Sequence, residues 1–433
     1  MDARTGARVG RDGRLYVFTD LDAPRGRVAV TDPAEPGPGT WHDLIPSDPE
    51  AVLEGYAILD GSAGAGQAPG AGPVLLALWT RHAISEISVH DLATGARTGS
   101  VPLPGPGTVG GISERPEGGH EAWFAYTDNT TPAMIMHYDT SAGPAAQARV
   151  WVWARAPGSV QAPPVHAQQV AYTSADGTEV RMLVISAAAA PDTPRPAVLY
   201  GYGGFGISLT PGYSPTILAW VEAGGVYAVA GLRGGSEEGE DWHRAGMLDR
   251  RQAVFDDFHA AAEKLIAGGW TTRDRLGIYG GSNGGLLVGA ALTQRPDLYR
   301  AAVCSAPLLD MVRYERFGLG ETWNTEYGTA TDPEQLGWLL SYSPYHHVVP
   351  GTRYPSVLFT VFDNDTRVDP LHARKMCAAL QYATSAPLAE RPVLLRREAD
   401  VGHSSRAVSR SVALSADLLA FLAAHTGLSL PPG

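Results

Sequence analysis

Lysine is almost missing from this chain: Lys264 and Lys375 are the only two among 433 residues, and arginine carries the rest of the positive charge. That reads as coding bias. With 33 basic against 45 acidic residues the formal net charge is -12, which argues against a nucleic-acid surface. Cysteine is equally scarce. Cys304 and Cys377 form no C-x-x-C pair, so neither a disulfide framework nor a zinc knuckle is available, and two reduced, buried thiols are expected. Zinc-ligand spacing of the H-E-x-x-H type is absent too, since Gly119-His120-Glu121 lacks the second histidine. No metal and no cofactor are therefore expected. Long apolar runs are missing, which excludes an obvious bilayer span, and Met1 to Thr5 do not look like the start of a secretory signal. A cytoplasmic protein with no membrane partner is expected, in which the sequons at Asn129 and Asn364 carry no meaning.

What is present is a globular composition, 44% hydrophobic and 18% charged, in two halves of different texture. Residues 1 to 157 read as β. Leu15–Thr19, Arg27–Thr31, Val74–Trp79, Glu86–His90, Ala122–Tyr126 and Met134–Tyr138 are short, β-rich and bounded by turns. A unit of strand, aspartate and turn recurs at Asp32, Asp91 and Asp139, at roughly the interval of a four-stranded propeller blade. An aspartate suits that place because its carboxylate accepts hydrogen bonds from turn amides. Residues 165 to 433 alternate strands with helices. Pro196–Tyr200, Gly225–Ala230, Leu276–Tyr279, Ala301–Cys304 and Val357–Val361 read as buried strands, and Gln252–Ala267 as a helix stopped by Gly268-Gly269. A final helix is expected from about 407 to 424, and the linker between the halves over Ala156 to Pro164. The fold class is thus an α/β-hydrolase catalytic domain preceded by an incomplete all-β, propeller-like domain.

The strongest local signal is Gly280-Gly281-Ser282-Asn283-Gly284-Gly285, set between a strand and the helix-compatible Leu286–Leu292. Strand, G-x-S-x-G and helix describe a nucleophile elbow, in which Gly280 and Gly284 leave room for a sharp turn and Ser282 stands at its apex. The helix N-terminus behind it favours an anionic intermediate. A serine hydroxyl needs a base, and the base an orienting acid. His403 follows Gly402 in a loop before the last helix, where the base belongs. For the acid, Asp363 and Asp365 both lie just past a strand, and spacing alone leaves the two open. His243, His259, His346, His347 and His372 are read as surface or packed residues. Ser236 lacks a glycine two positions on. Gly201 to Gly206 match G-x-G-x-x-G, but Pro211 and Pro215 interrupt the helix that a dinucleotide site requires. This loop instead suits the second oxyanion donor, the backbone N–H of Asn283 being the first; one such donor is worth roughly 3 kcal/mol in the transition state.

Five motifs then resemble the prolyl oligopeptidase (prolyl endopeptidase) family of serine peptidases, in order along the chain: Tyr200 to Ser208; Arg233-Gly234-Gly235 with Asp241 to Gly246; Gly280 to Gly285; Asp365-Thr366-Arg367-Val368; and Gly402-His403. Leu21 to Gly26 and Pro104 to Ile112 are similar to that family's propeller. The resemblance implies that Ser282 attacks the carbonyl after proline, that His403 is the base, and that Asp365 rather than Asp363 is its acid. It implies that the Tyr202 hydroxyl assists the Asn283 amide in the oxyanion hole. Trp338 would stack on the substrate proline, with Phe205, Tyr342 and Val368 lining the same pocket and Arg367 binding a neighbouring peptide carbonyl. A flat, apolar pyrrolidine suits aromatic faces; a preference for basic residues would need carboxylates there, and the motif neighbourhood offers tryptophan instead, although Glu321 and Glu326 are nearby in sequence.

The resemblance is N-terminally short. The family carries a seven-bladed propeller behind a leading segment, whereas this sequence has room for about three blades. A misplaced start, a split gene, a working chain with an open propeller and a degraded remnant remain the alternatives. The expected partners are short proline-containing peptides and no nucleic acid. Two other functions stand beside the first: a broader serine hydrolase or peptide cyclase on the same triad, and an inactive remnant that binds a partner.

Overall fold

A computed structural model describes residues 3–61, 72–140, 149–155, 162–403 and 406–429. It divides into two compact units. One comprises Met1–Ala162 with Thr210–Ser214 and Glu237–Asp241; the other comprises Pro163–Leu209, Pro215–Ser236 and Trp242–Gly433. The linker expected from Ala156 falls, over 156–161, outside the described residues.

Among the described residues the first unit contains three antiparallel four-stranded sheets, each in simple sequence order. They are Thr5–Val9, Leu15–Thr19, Arg27–Thr31 and His42–Ile45 (β1–β4); Ala51–Leu59, Val74–Arg81, Ile84–Asp91 and Arg97–Ser100 (β5–β8); and Thr108–Glu114, Glu121–Thr127, Met134–Asp139 and Arg149–Arg155 (β9–β12). Strict alternation explains the pairing. In β10, Ala122, Phe124 and Tyr126 point to one face and meet Leu76, Leu78, Ile87 and Val89 of the second sheet. Tyr16, Val28 and Ile45 of the first sheet meet Leu53, Leu75, Ala77 and Trp79 in the same way. An ion pair from Arg8 to Glu114 joins β1 to β9. These blade-like sheets make the unit propeller-like. Each recurring aspartate closes the third strand of a sheet. Asp32 Oδ1 accepts from the Ala34 amide at 2.8 Å, and Asp91 Oδ1 from the Thr94 amide at 2.8 Å.

Among the described residues the second unit is built on one eight-stranded sheet. Its strands are His166–Thr173, Glu179–Ser186, Ala197–Gly201, Val226–Gly231, Leu276–Gly281, Ala301–Ser305, Ser356–Phe362 and Val393–Glu398 (β13–β20), ordered β13-β14-β16-β15-β17-β18-β19-β20. β14 runs antiparallel to β16, and the strands from β16 to β20 are all parallel. This is the α/β-hydrolase sheet. Its central strands have no alternation: every residue of β18 and of β19 is buried, because helices cover both faces. Val254, Phe255, Phe258, Ala262 and Leu265 of the helix Gln252–Ala267 pack on one face together with the helix Asn283–Gln294. Trp220 and Val221, with Leu414, Leu418, Phe421 and Leu422, pack on the other.

The helix Val408–Thr426 supplying the last four is 19 residues long and, by length and composition only, apolar enough to cross a membrane, although serines, Arg410 and Asp417 interrupt its apolar sequence. One face of it, carrying Leu414, Leu418, Phe421 and Leu422, packs on the sheet, while Val408 and Val412 are exposed. Cys304 and Cys377 are both free and buried.

Candidate active site

Ser282 stands between the end of β17 and the helix Asn283–Gln294 with φ 56° and ψ -118°. Such backbone costs about 1–3 kcal/mol in a residue with a side chain and persists only where packing enforces it. Here the enforcement is steric. A Cβ on Gly280 would lie 2.1 Å from the carbonyl oxygen of Gly284, and one on Gly284 would lie 2.7 Å from that of Gly201. The Ser282 N–H donates to Ser305 O at 2.8 Å, and its carbonyl accepts from Gly285 N at 2.9 Å. The turn is thereby tied to β18 on one side and to the new helix on the other.

Asn283 is fully buried. Its side-chain amide donates to Tyr202 O at 2.6 Å; its Oδ1 accepts from the Tyr327 hydroxyl at 2.7 Å and from Arg251. The side chain is thus consumed by the scaffold, and the backbone N–H sits in the first helical turn, where such groups lack intrahelical partners. The Tyr202 hydroxyl lies near enough to Ser282 to feel its side chain, and burial outweighs that influence and raises its pKa, so the phenol stays protonated and able to donate.

Asp365 follows β19. Its Oδ1 accepts the N–H groups of Arg367 and Val368, at 3.0 and 2.9 Å, and its Oδ2 lies 2.6 Å from His403 Nδ1. Asp363, two residues earlier, turns away into a two-pronged bond with Arg397 at 2.7 and 2.5 Å. Ser282, Asp365 and His403 follow the C-terminal ends of β17, β19 and β20. Gly281 is in register with Ser305, and Ser305 with Thr360. The hydroxyl, carboxylate and imidazole therefore stand at one end of one sheet.

The pocket candidates fall in different settings. Phe205 is half-buried with φ 58°, its ring edge-on to Tyr327 at 5.6 Å and to Trp323 at 6.4 Å. Trp338 is half-buried on the helix Pro333–Tyr342, near Gly328. Arg367 is exposed, and its charge reaches the Tyr202 hydroxyl. Val368 is buried. Tyr342 is only 1% exposed and lies in the core against Phe255 at 5.5 Å.

The sequence marks Glu326 only as a carboxylate near the pocket motif, not its part in the scaffold. Glu326 is a buried carboxylate whose Oε1 accepts from Phe205 N at 2.9 Å and Arg251 Nη1 at 3.1 Å, while Oε2 meets His243 Nε2 at 2.9 Å. Burial pushes its pKa up, but the His243 bond, the Arg251 charge and the Phe205 amide outweigh that and hold it below the usual glutamate value. It is occupied by the scaffold rather than free for a basic substrate. The signal that could have found it is an arginine just ahead of an apolar helix, which must be answered from elsewhere. His259 bonds Tyr299 at 2.8 Å and His372 accepts from the Asp310 amide at 3.1 Å, both buried. The glycine loop at 201–206 leads into no helix before Pro215. Among the described residues no group of three or more His, Cys, Asp or Glu side chains could hold a metal.

A strained serine at a strand-to-helix elbow, on this sheet, defines the class of α/β-hydrolase serine hydrolases. Comparison with known proteins narrows it. Residues 211–429 match the prolyl oligopeptidase family, and residues 2–150 match the prolyl oligopeptidase N-terminal β-propeller domain. The chain belongs to the prolyl oligopeptidase family. It is 38% identical over 427 residues to the prolyl endopeptidase of Elizabethkingia miricola, covering 97% of this chain and 57% of that protein. It is 34% identical over 430 residues to the prolyl oligopeptidase ophP of Omphalotus olearius, covering 98% and 55%. Among solved structures, a prolyl endopeptidase from a study of inter-domain dynamics in catalysis and specificity superimposes with a TM-score of 0.90 at 43% identity, covering 99% of this chain and 60% of that one. Prolyl oligopeptidase B of Galerina marginata, bound to a hydrolysis and macrocyclization substrate, gives 0.87 at 28% identity, covering 99% and 59%. The chain thus spans less than two thirds of the length of these relatives.

Proposed function

We propose that the chain is a serine endopeptidase that hydrolyses short peptides on the carboxyl side of proline through an acyl-enzyme. The Ser282 hydroxyl attacks the prolyl carbonyl while His403 takes its proton. Asp365 holds the imidazole tautomer and offsets the imidazolium charge. The Asn283 N–H and the Tyr202 hydroxyl donate to the oxyanion of the tetrahedral intermediate. His403 then protonates the leaving amine, and water, deprotonated by the same imidazole, releases the acid. Trp338, Phe205, Tyr342 and Val368 form the pyrrolidine pocket, and Arg367 donates to a peptide carbonyl beside it. The observation that carries the reading is the 2.6 Å contact of His403 with Asp365 at the sheet end where the strained Ser282 stands.

The same proposal puts a domain boundary between residues 157 and 165 and locates the protein in the cytoplasm, where the free thiols Cys304 and Cys377 stay reduced. Turnover of an acyl-Gly-Pro amide reporter, with fluorophosphonate labelling that disappears in Ser282→Ala, tests it. Folded wild-type protein that neither cleaves nor labels would sink it. A second reading, transfer of the acyl group to an amine to close a ring, is favoured by the likeness to the Galerina enzyme seen with a macrocyclization substrate. Product analysis with a peptide carrying a free amino terminus separates the two.

A further inference from the structure

Arg251 is fully buried, and its guanidinium reaches three separate parts of the chain. Nη2 donates to Asn283 Oδ1, Nη1 donates to Glu326 Oε1 and to Gly246 O, and the group lies 5.2 Å from the centre of the Tyr327 ring. Glu326 in turn holds the Phe205 N–H at 2.9 Å and His243 at 2.9 Å. The fit is close enough to require Gly204, where a Cβ would stand 2.6 Å from Asn283 Nδ2 and 3.1 Å from Arg251 Nη1. A buried ion pair of this kind is weak support for stability, because desolvation offsets most of its attraction. Its geometry is more specific than a stabilising role requires. One carboxylate oxygen carries both the backbone of the residue before Gly206 and the arginine behind the residue after the nucleophile.

We propose that Glu326 is a positioning residue that locks two components of the site together: the Asn283 amide, through Arg251, and the Phe205 ring, through its own N–H. The inference rests on the roles proposed above for Asn283 and Phe205. Phe205 is held at φ 58°, a conformation a phenylalanine does not keep unaided, and the Glu326 bond to its N–H supplies a restraint. On the other arm, Asn283 cannot rotate while Oδ1 is shared by Arg251 and Tyr327. Substrate selection and oxyanion stabilisation thereby depend on a single charge that touches neither substrate nor nucleophile.

The two arms separate by experiment. The readouts are kcat and KM on a prolyl amide, and the affinities of an acyl-proline aldehyde, which forms a tetrahedral adduct with the serine, and of an unreactive acyl-proline pyrrolidide. Arg251→Met is expected to lower kcat and aldehyde affinity together by at least about tenfold, since a displacement near 1 Å can cost up to 10²-fold, with KM and pyrrolidide affinity held within about twofold. Glu326→Gln is expected to lower kcat and also raise KM and weaken the pyrrolidide. Arg251→Lys, which keeps the charge without the fork, recovers part of kcat, and serves if the methionine variant does not fold. A uniform loss in both inhibitors, or native kcat in folded Arg251→Met, overturns the proposal. If wild type ignores prolyl substrates but is labelled by a fluorophosphonate, the proline reading fails alone. The labelling rate then tests the oxyanion arm, and an unchanged rate in Arg251→Met overturns it. Wild type that neither cleaves nor labels ends both.

Discussion

His403 Nδ1 lies 2.6 Å from Asp365 Oδ2, while Asp363, two positions away on the same loop, is bonded to Arg397. A single change of charge therefore has different consequences at the two aspartates. Asp365→Asn removes the acceptor that fixes the imidazole tautomer, and kcat/KM should fall by about 10³–10⁴-fold, as for a triad acid of this type. Asp363→Asn should leave kcat/KM within about twofold, since an exposed pair contributes about 0–1 kcal/mol. Steady-state kinetics of both on a prolyl amide decide it. Equal losses would remove Asp365 from the proposed triad.

The elbow gives a second prediction. Gly280→Ala puts a methyl group 2.1 Å from a backbone oxygen, not from a flexible side chain that could move aside. The strand end or the helix start must shift, with a loss on the order of 3 kcal/mol and a displaced Ser282. Thermal unfolding and fluorophosphonate labelling should both suffer. Gly337→Ala, with open space around its Cβ on the helix Pro333–Tyr342, should not lower the melting temperature.

How much of this was legible in the sequence depends on the range of the interactions. The elbow, the helix Gln252–Ala267 and strands such as β3 and β10 announce themselves through local period and glycine spacing. β1 and β8 do not: they are short, mostly exposed edge strands with no apolar alternation. β5 was hidden by Glu54-Gly55, where its register against β6 shifts. The Arg251–Glu326 pair was illegible for another reason. Its partners are 75 residues apart, and only the folded chain removes both from water. Asp363 and Asp365 could be ranked by resemblance but not by spacing, because the bond that distinguishes them, Asp363 to Arg397, crosses from one strand end to the next.

Trp338 supplies a third prediction. It is half-buried, so truncation removes apolar surface without opening a core cavity. Trp338→Ala should raise KM for a prolyl substrate by about 10-fold or more, from losing an aromatic face worth about 1.5–3 kcal/mol, with a smaller change for an alanyl substrate. Paired measurements on the two substrates check it. A parallel loss on both would assign the indole to packing.

The last prediction concerns acid stability and comes from His372, outside the proposed chemistry. Its imidazole is 2% exposed, and its Nδ1 accepts the amide of Asp310 at 3.1 Å and that of Leu309 at 3.4 Å. Burial, against the raising influence of Asp310 and Asp369, lowers its pKa to about 4. A proton on Nδ1 would also face two N–H donors. In the unfolded chain the same group titrates near 6.5. Between those values the unfolded state holds a proton that the folded state refuses, so folding is fully stable with respect to this group above about 6.5 and weakens as pH falls toward 4, by about 3 kcal/mol in all. His372→Asn keeps an acceptor oxygen near the place of Nδ1 but does not titrate. In urea unfolding at pH 7 and pH 4.5, the midpoint of wild type should drop further than that of the variant. An identical drop in both would mean that carboxylates such as Glu326, and not this histidine, set the acid limit.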